Sequence, residues 1–174
     1  NRDEKIQALQ SQLDASGLEV EGLRSASDTL KEIGREINRS KRHHHKMAAI
    51  GIAIDGREQS PGNLREHLEV LLTVIGPHCR SEDLIGLVDA KTMGIFLPET
   101  DLEAGRIFSE RIRDAIRQGF GMPPILMYLT SIEREEGGTA QSLAVSISRA
   151  IDSMSKDKAG PNFAVNTTGK MAWR

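Results

Sequence analysis

Aromatic residues make up only 3% of the 174 residues. A platform on which successive bases of a single strand stack needs several of them, so that mode of nucleic-acid binding is not expected. There is a single cysteine, Cys79. No internal disulfide and no cysteine-based metal site can be built on it, and a reducing, cytoplasmic setting is the expectation. Neither sign of charge is in surplus, the net charge being -2. That leaves no electrostatic footprint for nucleic acid and no attraction to a membrane surface. No apolar run approaches the roughly 20 residues of a membrane span, and no signal peptide opens the chain. Neither nucleic acid nor membrane contact is therefore expected within this stretch. The first residue is Asn1 rather than Met, as expected of a fragment of a longer protein with a sensor or membrane module upstream.

What is present reads as globular. Hydrophobic residues are 38% and charged residues 28%, which suits one domain with a real core plus an extension. Residues 1 to 40 are polar with sparse apolar positions. Ile6, Leu9, Leu13, Val20, Leu23, Leu30 and Ile37 share one heptad register, with Ser16, Ser27 and Gly34 at the skipped seam positions. Such a narrow stripe suits a helix pairing with a partner helix. The gaps weaken it, as do Gly17 and Gly22, since each interior glycine costs up to ~1 kcal/mol against alanine. The expectation is a parallel dimeric coiled coil over 1–40 followed by a globular domain over 41–174. The other reading is a helix lying on its own domain.

Three consecutive histidines stand in RHHHK, Arg42 to Lys46. Neighbours on a helix point in different directions and do not converge on one ion, so a solvated helix end or loop is expected. MAAIGIAID, Met47 to Asp55, reads as a buried strand closely approached on one face. After the break GREQSPGN, Leu64 to Ile75 carries leucines at helical spacing, stopped by Gly76-Pro77. Leu84 to Val88 and Gly94 to Leu97, separated by DAKTM, read as a hairpin. Asp101 to Gln118 is an amphipathic helix built on Ala104, Ile107, Phe108, Ile112, Ala115 and Ile116, with Asp101 and Glu103 at its positive end. Ile125 to Ile132 is a strand, Ser142 to about Lys156 a helix, and FAV a last short strand. The central β-α-β-β-α-β order predicts an α+β, split βαβ (ferredoxin-like) sandwich around a mostly antiparallel sheet, preceded by a long N-terminal helix.

From about Arg35 to Val165 the sequence resembles the GGDEF domains of diguanylate cyclases. The resemblance is carried by REINRSKRHHHKMAAIGIAIDG, CRSEDLIGL, GIFLPETDLEAGRIFSERIRDAI and AIDSMSKDKAGPN. That family makes cyclic di-GMP from two GTP molecules, with Mg²⁺ held by hard oxygen ligands and with glycines at the hairpin tip. Aligning the strands puts the Gly-Gly-Asp-Glu-Phe signature on Asp89, Ala90, Lys91, Thr92 and Met93, and none of the five letters is kept. A metal-binding acid of the signature becomes Lys91, and the metal-binding Asp of the first strand falls on Ala53. Asp55 matches the second Asp of that strand's motif. The Phe-Lys-x-x-Asn stretch has no counterpart in Gly56 to Asn63. The expectation is a catalytically inactive, degenerate domain with no cofactor.

Many family members also carry an inhibitory Arg-x-x-Asp site five residues ahead of the signature. Arg80-Ser81-Glu82-Asp83 fits, with Leu84 to Val88 intervening. The arginine that completes that site from the following helix falls on Arg111. Arginine supplies planar paired donors for phosphate or the guanine edge and stacks on a purine. Aspartate accepts from guanine N1-H and the amino group. The resemblance therefore implies that Arg80, Asp83 and Arg111 bind cyclic di-GMP. The competing reading of the pair is an exposed salt bridge worth 0–1 kcal/mol, as is typical.

Three functions follow from these readings. The first is a cyclic di-GMP receptor signalling through a homodimer of its N-terminal helices. The second is a ligand-free dimerisation scaffold docking a partner protein. The third is an enzyme of altered chemistry or a GTP-binding relic, in which Lys91 faces a phosphate and Lys156 or Lys158 stands near the family's phosphate-contacting lysine. His67 and His78 are isolated and read as solvated or satisfied.

Overall fold

The computed structural model describes residues 23–55, 61–119, 124–132, 138–157 and 162–166. The elements run α1 (Ala26–Arg42), β1 (Met47–Ile54), α2 (Pro61–Ile75), β2 (Leu84–Leu87), β3 (Thr92–Pro98), α3 (Leu102–Arg117), β4 (Ile125–Ser131), α4 (Ala140–Lys156) and β5 (Phe163–Val165). The strands form one sheet in the order β2-β3-β1-β4-β5. Three of its four pairings are antiparallel; β5 alone runs parallel to its neighbour, β4. This is the expected α+β sandwich.

β1 is apolar along its length because it lies at the centre of the sheet with helices on both faces. Alternation along the strand divides its side chains. Ile50 and Ile52 join Leu68, Leu71 and Ile75 of α2 and Ile112 and Ile116 of α3. Met47 and Ala49 join Ile33 and Ile37 of α1 and Leu143, Ile147 and Ile151 of α4. Gly51 has no side chain because a Cβ there would collide with Ile147 of α4, which is the close approach expected from the small residues of this strand.

Helix starts are set by side-chain caps, which satisfy amide groups that the first turn leaves unbonded. Ser25 accepts from the Asp28 amide at the head of α1, and Asp101 from the Ala104 amide at the head of α3. At α4, Thr139 and Ser142 bond each other's amides reciprocally. This capping box starts the helix at Ala140, slightly ahead of the expected Ser142.

One expectation needs correcting. Strand β3 already begins at Thr92, with Leu87 facing Met93 and Gly86 facing Gly94. Thr92 and Met93, expected in the hairpin tip, are thus ladder residues, and both are fully buried. Burial of Met93 in the α2/α3 side of the core fixes this register. Helix α1 runs on to Arg42, with Ile33 and Ile37 buried in the core beneath the sheet and Leu30 packed against it. From Leu30 to Ile37 the apolar stripe is therefore spent on the sheet. The earlier heptad positions up to Val20 lie outside the described residues.

The stretch ahead of α1 also joins the sheet. Arg24 forms a parallel bridge with Gly86 on the edge strand β2, and the Leu87 amide donates to the Arg24 carbonyl at 3.0 Å. Gly86 makes this possible, since a Cβ there would collide with the Thr29 hydroxyl.

Candidate functional site

A short 3-10 turn, Gly76–His78, carries the chain from α2 into the loop Cys79 to Asp83. That loop folds on itself. The Asp83 amide donates to the Arg80 carbonyl at 3.1 Å, and the Arg80 amide donates to Asp83 Oδ2 at 2.7 Å. Arg80 Nη2 then donates to Asp83 Oδ1 at 3.1 Å. The Asp83 side chain is 1% exposed and that of Arg80 48%.

Arg80 Nη2 also reaches the far end of the hairpin, donating to the Pro98 carbonyl at 2.9 Å and to Thr100 Oγ1 at 3.0 Å. One guanidinium thus ties the approach to β2 to the exit from β3. Its Nη1 stands at the rim, 3.5 Å from Glu82 Oε1. The Glu82 carboxyl is held below its ordinary value by its own backbone amide, with Ser81 and Arg80 adding to the effect. Burial pushes the neighbouring Cys79 thiol up to about 11, with the negative Asp83 adding to the rise.

Across from this loop, α3 contributes Arg111. Arg80, Asp83 and Arg111 line one cleft of about 310 Å³ together with His78, Leu97, Ile107 and Phe108. All three sequence-derived site residues come together. Both Asp83 oxygens accept from Arg80, one from its amide and one from its guanidinium. Sequence reasoning missed Thr100 and the Pro98 carbonyl, which brace Arg80 from the other strand. It also counted Ile107 with the buried face of α3, whereas Ile107 is 49% exposed and walls the cleft. The overlong apolar stripe of α3 was the available signal for Ile107. Nothing local marks Thr100.

The hairpin tip sits at the opposite end of β2 and β3. Asp89 accepts from the Lys91 amide at 2.9 Å and from the Ser148 hydroxyl of α4 at 2.7 Å. Lys91 Nζ lies 3.0 Å from Asp152 Oδ1 of the same helix. Ala53, at the first-strand position the resemblance assigns to a metal ligand, is 2% exposed. It packs among the apolar side chains shared by α1 and α4. Its partner on β3 is Thr92, whose buried hydroxyl has no hydrogen-bond partner among the described residues. Lys156 lies exposed at the end of α4, and Lys158 falls outside the described residues.

The three histidines stay at the helix end. His43 caps α1, His44 takes a left-handed φ of 56°, and His45 Nδ1 lies 3.1 Å from Glu99 Oε1. Among the described residues no group of three or more His, Cys, Asp or Glu side chains could hold a metal ion, and no helix is long and apolar enough to cross a membrane.

No family model matches the sequence, and no curated protein matches it. Solved structures do match the fold. The active GGEEF domain of a diguanylate cyclase from Vibrio cholerae superposes with a TM-score of 0.66 at 16% identity, over 84% of this chain and 99% of that one. The diguanylate cyclase SiaD from Pseudomonas aeruginosa, solved in complex with its activator SiaC, gives 0.66 at 20% identity, over 94% of this chain and 67% of that one. The GGDEF domain of DgcB from Caulobacter crescentus, solved in complex with c-di-GMP, gives 0.62 at 13% identity, over 86% and 93%. The chain therefore has the GGDEF fold.

Proposed function

We propose that this chain is a catalytically inactive GGDEF-type domain that serves as a cyclic di-GMP receptor. Arg80 and Arg111 take the ligand, and Asp83 holds Arg80 in place. A homodimer made through the N-terminal segment relays the bound state in the cytoplasm. The observation that carries this reading is the shared cleft: two guanidinium-bearing residues, from separate elements, line one opening beside an exposed isoleucine. Guanidinium planes pair with phosphate or the guanine edge and stack on purine rings, and the apolar wall suits a base. The same fold is known with c-di-GMP bound in the Caulobacter domain.

Inactivity is supported by residue chemistry at the tip. Lys91 puts an ammonium where the family places a metal-binding acid, and it is paired with Asp152. Ala53 offers only a methyl group, enclosed in the core.

Calorimetric titration of the full chain with cyclic di-GMP tests the proposal, with GTP and cyclic di-AMP as controls. Binding at micromolar strength or better is expected, roughly -8 kcal/mol. Arg111→Ala should abolish it without a change in thermal stability. An absence of heat and of any thermal shift at saturating ligand would sink the receptor reading.

A second reading, a scaffold that docks a partner protein, is favoured by one observation: the Arg80–Asp83 pair satisfies itself without a ligand. Partner capture unaffected by Arg111→Ala would support the scaffold.

A further inference from the structure

A separate cleft of about 270 Å³ opens where the last turns of α3 meet the beginnings of β4 and β5. Arg113, Arg117 and Asn162 supply its polar lining, and Ile116, Pro124 and Ile125 its apolar surface. Arg113 and Arg117 are four residues apart on one helix and so share a face. The Arg113 guanidinium lies over the Phe163 ring, 5.4 Å from its centroid, which limits how it can turn. Its Nε is buried and has no hydrogen-bond partner among the described residues. A buried donor left unbonded is costly, and native structures rarely keep one.

The charges along α3 are unevenly neutralised. Arg106, in the first half of the helix, is held between Glu103 and Glu110. No ion pair engages Arg113 or Arg117 among the described residues, and no carboxylate stands among the described residues lining the cleft. Complementing the negative end of the helix accounts for Arg117 in the last turn. It does not account for Arg113, one turn earlier on the same helix.

We propose that this cleft binds a small phosphate monoester, with Arg113 and Arg117 clamping the phosphate, Asn162 adding its amide, and the apolar surface receiving the esterified group. A phosphate monoester carries about -1.5 to -2 charges near neutral pH, which matches two guanidinium groups. A carboxylate would neutralise only one. The volume falls just under the ~300–1,000 Å³ of typical small-molecule sites, which suits one phosphate on a short stem and not a dinucleotide. This site lies beyond the Arg80 cleft and does not depend on it.

The test is titration of the full chain with phenyl phosphate, benzoate and inorganic phosphate, followed by thermal shift and amide NMR. Phenyl phosphate is expected to bind with a dissociation constant of ~1 mM or tighter and to outcompete benzoate. Arg117→Gln, an exposed change, should weaken it by about tenfold or more, the loss of one charge-assisted contact, and leave cyclic di-GMP affinity untouched. Arg113→Gln should do the same where it folds. No binding of phenyl phosphate, equal binding of benzoate, or an unchanged affinity in Arg117→Gln would overturn the proposal.

Discussion

Lys91 at the hairpin tip reaches Asp152 on α4, Nζ to Oδ1 at 3.0 Å, and Asp89 beside it accepts from Ser148 one helical turn earlier. The tip is therefore laid against a helix by its own charged groups. The ion pair is half exposed on both sides, and such pairs contribute about 0–1 kcal/mol. The Ser148 bond to a carboxylate is part-buried and belongs to the stronger class of hydrogen bond, about 1.5–3 kcal/mol.

Ser148→Ala should accordingly destabilise the domain more than Lys91→Ala. Chemical denaturation of the two variants measures this directly. Equal midpoints would mean that the tip is not anchored through Asp89.

Restoring the acids should not restore metal binding. Ala53→Asp combined with Lys91→Asp would place one carboxylate in the apolar layer between sheet and helices, at a cost of several kcal/mol. The other would face Asp152. The expected result is a lower melting temperature and no cyclic di-GMP formed from GTP and Mg²⁺. Product detected by chromatography would show that the site is closer to competence than the packing allows.

Arg80 and Arg111 should separate stability from binding. Arg80 braces Asp83, Pro98 and Thr100, so Arg80→Ala strands a buried carboxylate and should cost about 1–3 kcal/mol. Arg111 lies exposed on α3, and Arg111→Ala should stay within about 0.5 kcal/mol of the parent. Both should lose cyclic di-GMP. A denaturation midpoint for Arg80→Ala equal to that of the parent would contradict the bracing role.

Gly86→Val should detach the stretch ahead of α1 from the sheet edge, because its side chain would occupy the place of the Thr29 hydroxyl. Overpacking of this kind costs about 1–3 kcal/mol. Faster exchange of the Leu87 amide, which bonds the Arg24 carbonyl, is the expected reading by hydrogen exchange.

The pH dependence should include a contribution from Cys79. Its thiol ionises at about 11 in the fold against an ordinary 9.0, mainly through burial. A folded value above the unfolded one means that the stability it contributes is complete below pH 9.0 and is lost as the pH rises through about 11. Cys79→Ser should flatten the stability curve across that alkaline window. Alkylation of native Cys79 at pH 8 should also be far slower than that of the unfolded chain, since the thiolate is the reactive form.

The order of elements was legible from the sequence because it rests on local rules. Apolar periodicity marked α2 and α3, the small-residue run marked β1, and Gly76-Pro77 marked the end of α2. The pairing of Arg80 with Asp83 was also written locally, as two charges three apart. Tertiary structure decided which groups those charges answer to. Thr100 and Pro98 meet Arg80 only because the hairpin returns its far end beside the loop. Ile33 and Ile37 fit a coiled-coil stripe and a domain core equally well, since both ask only for one apolar face; the sheet beside α1 settled it. Lys91 likewise became a partner of Asp152 through the packing of α4 against the tip. Periodicity along a chain determines which face is apolar; only the three-dimensional arrangement determines what covers that face and which charges end up as neighbours.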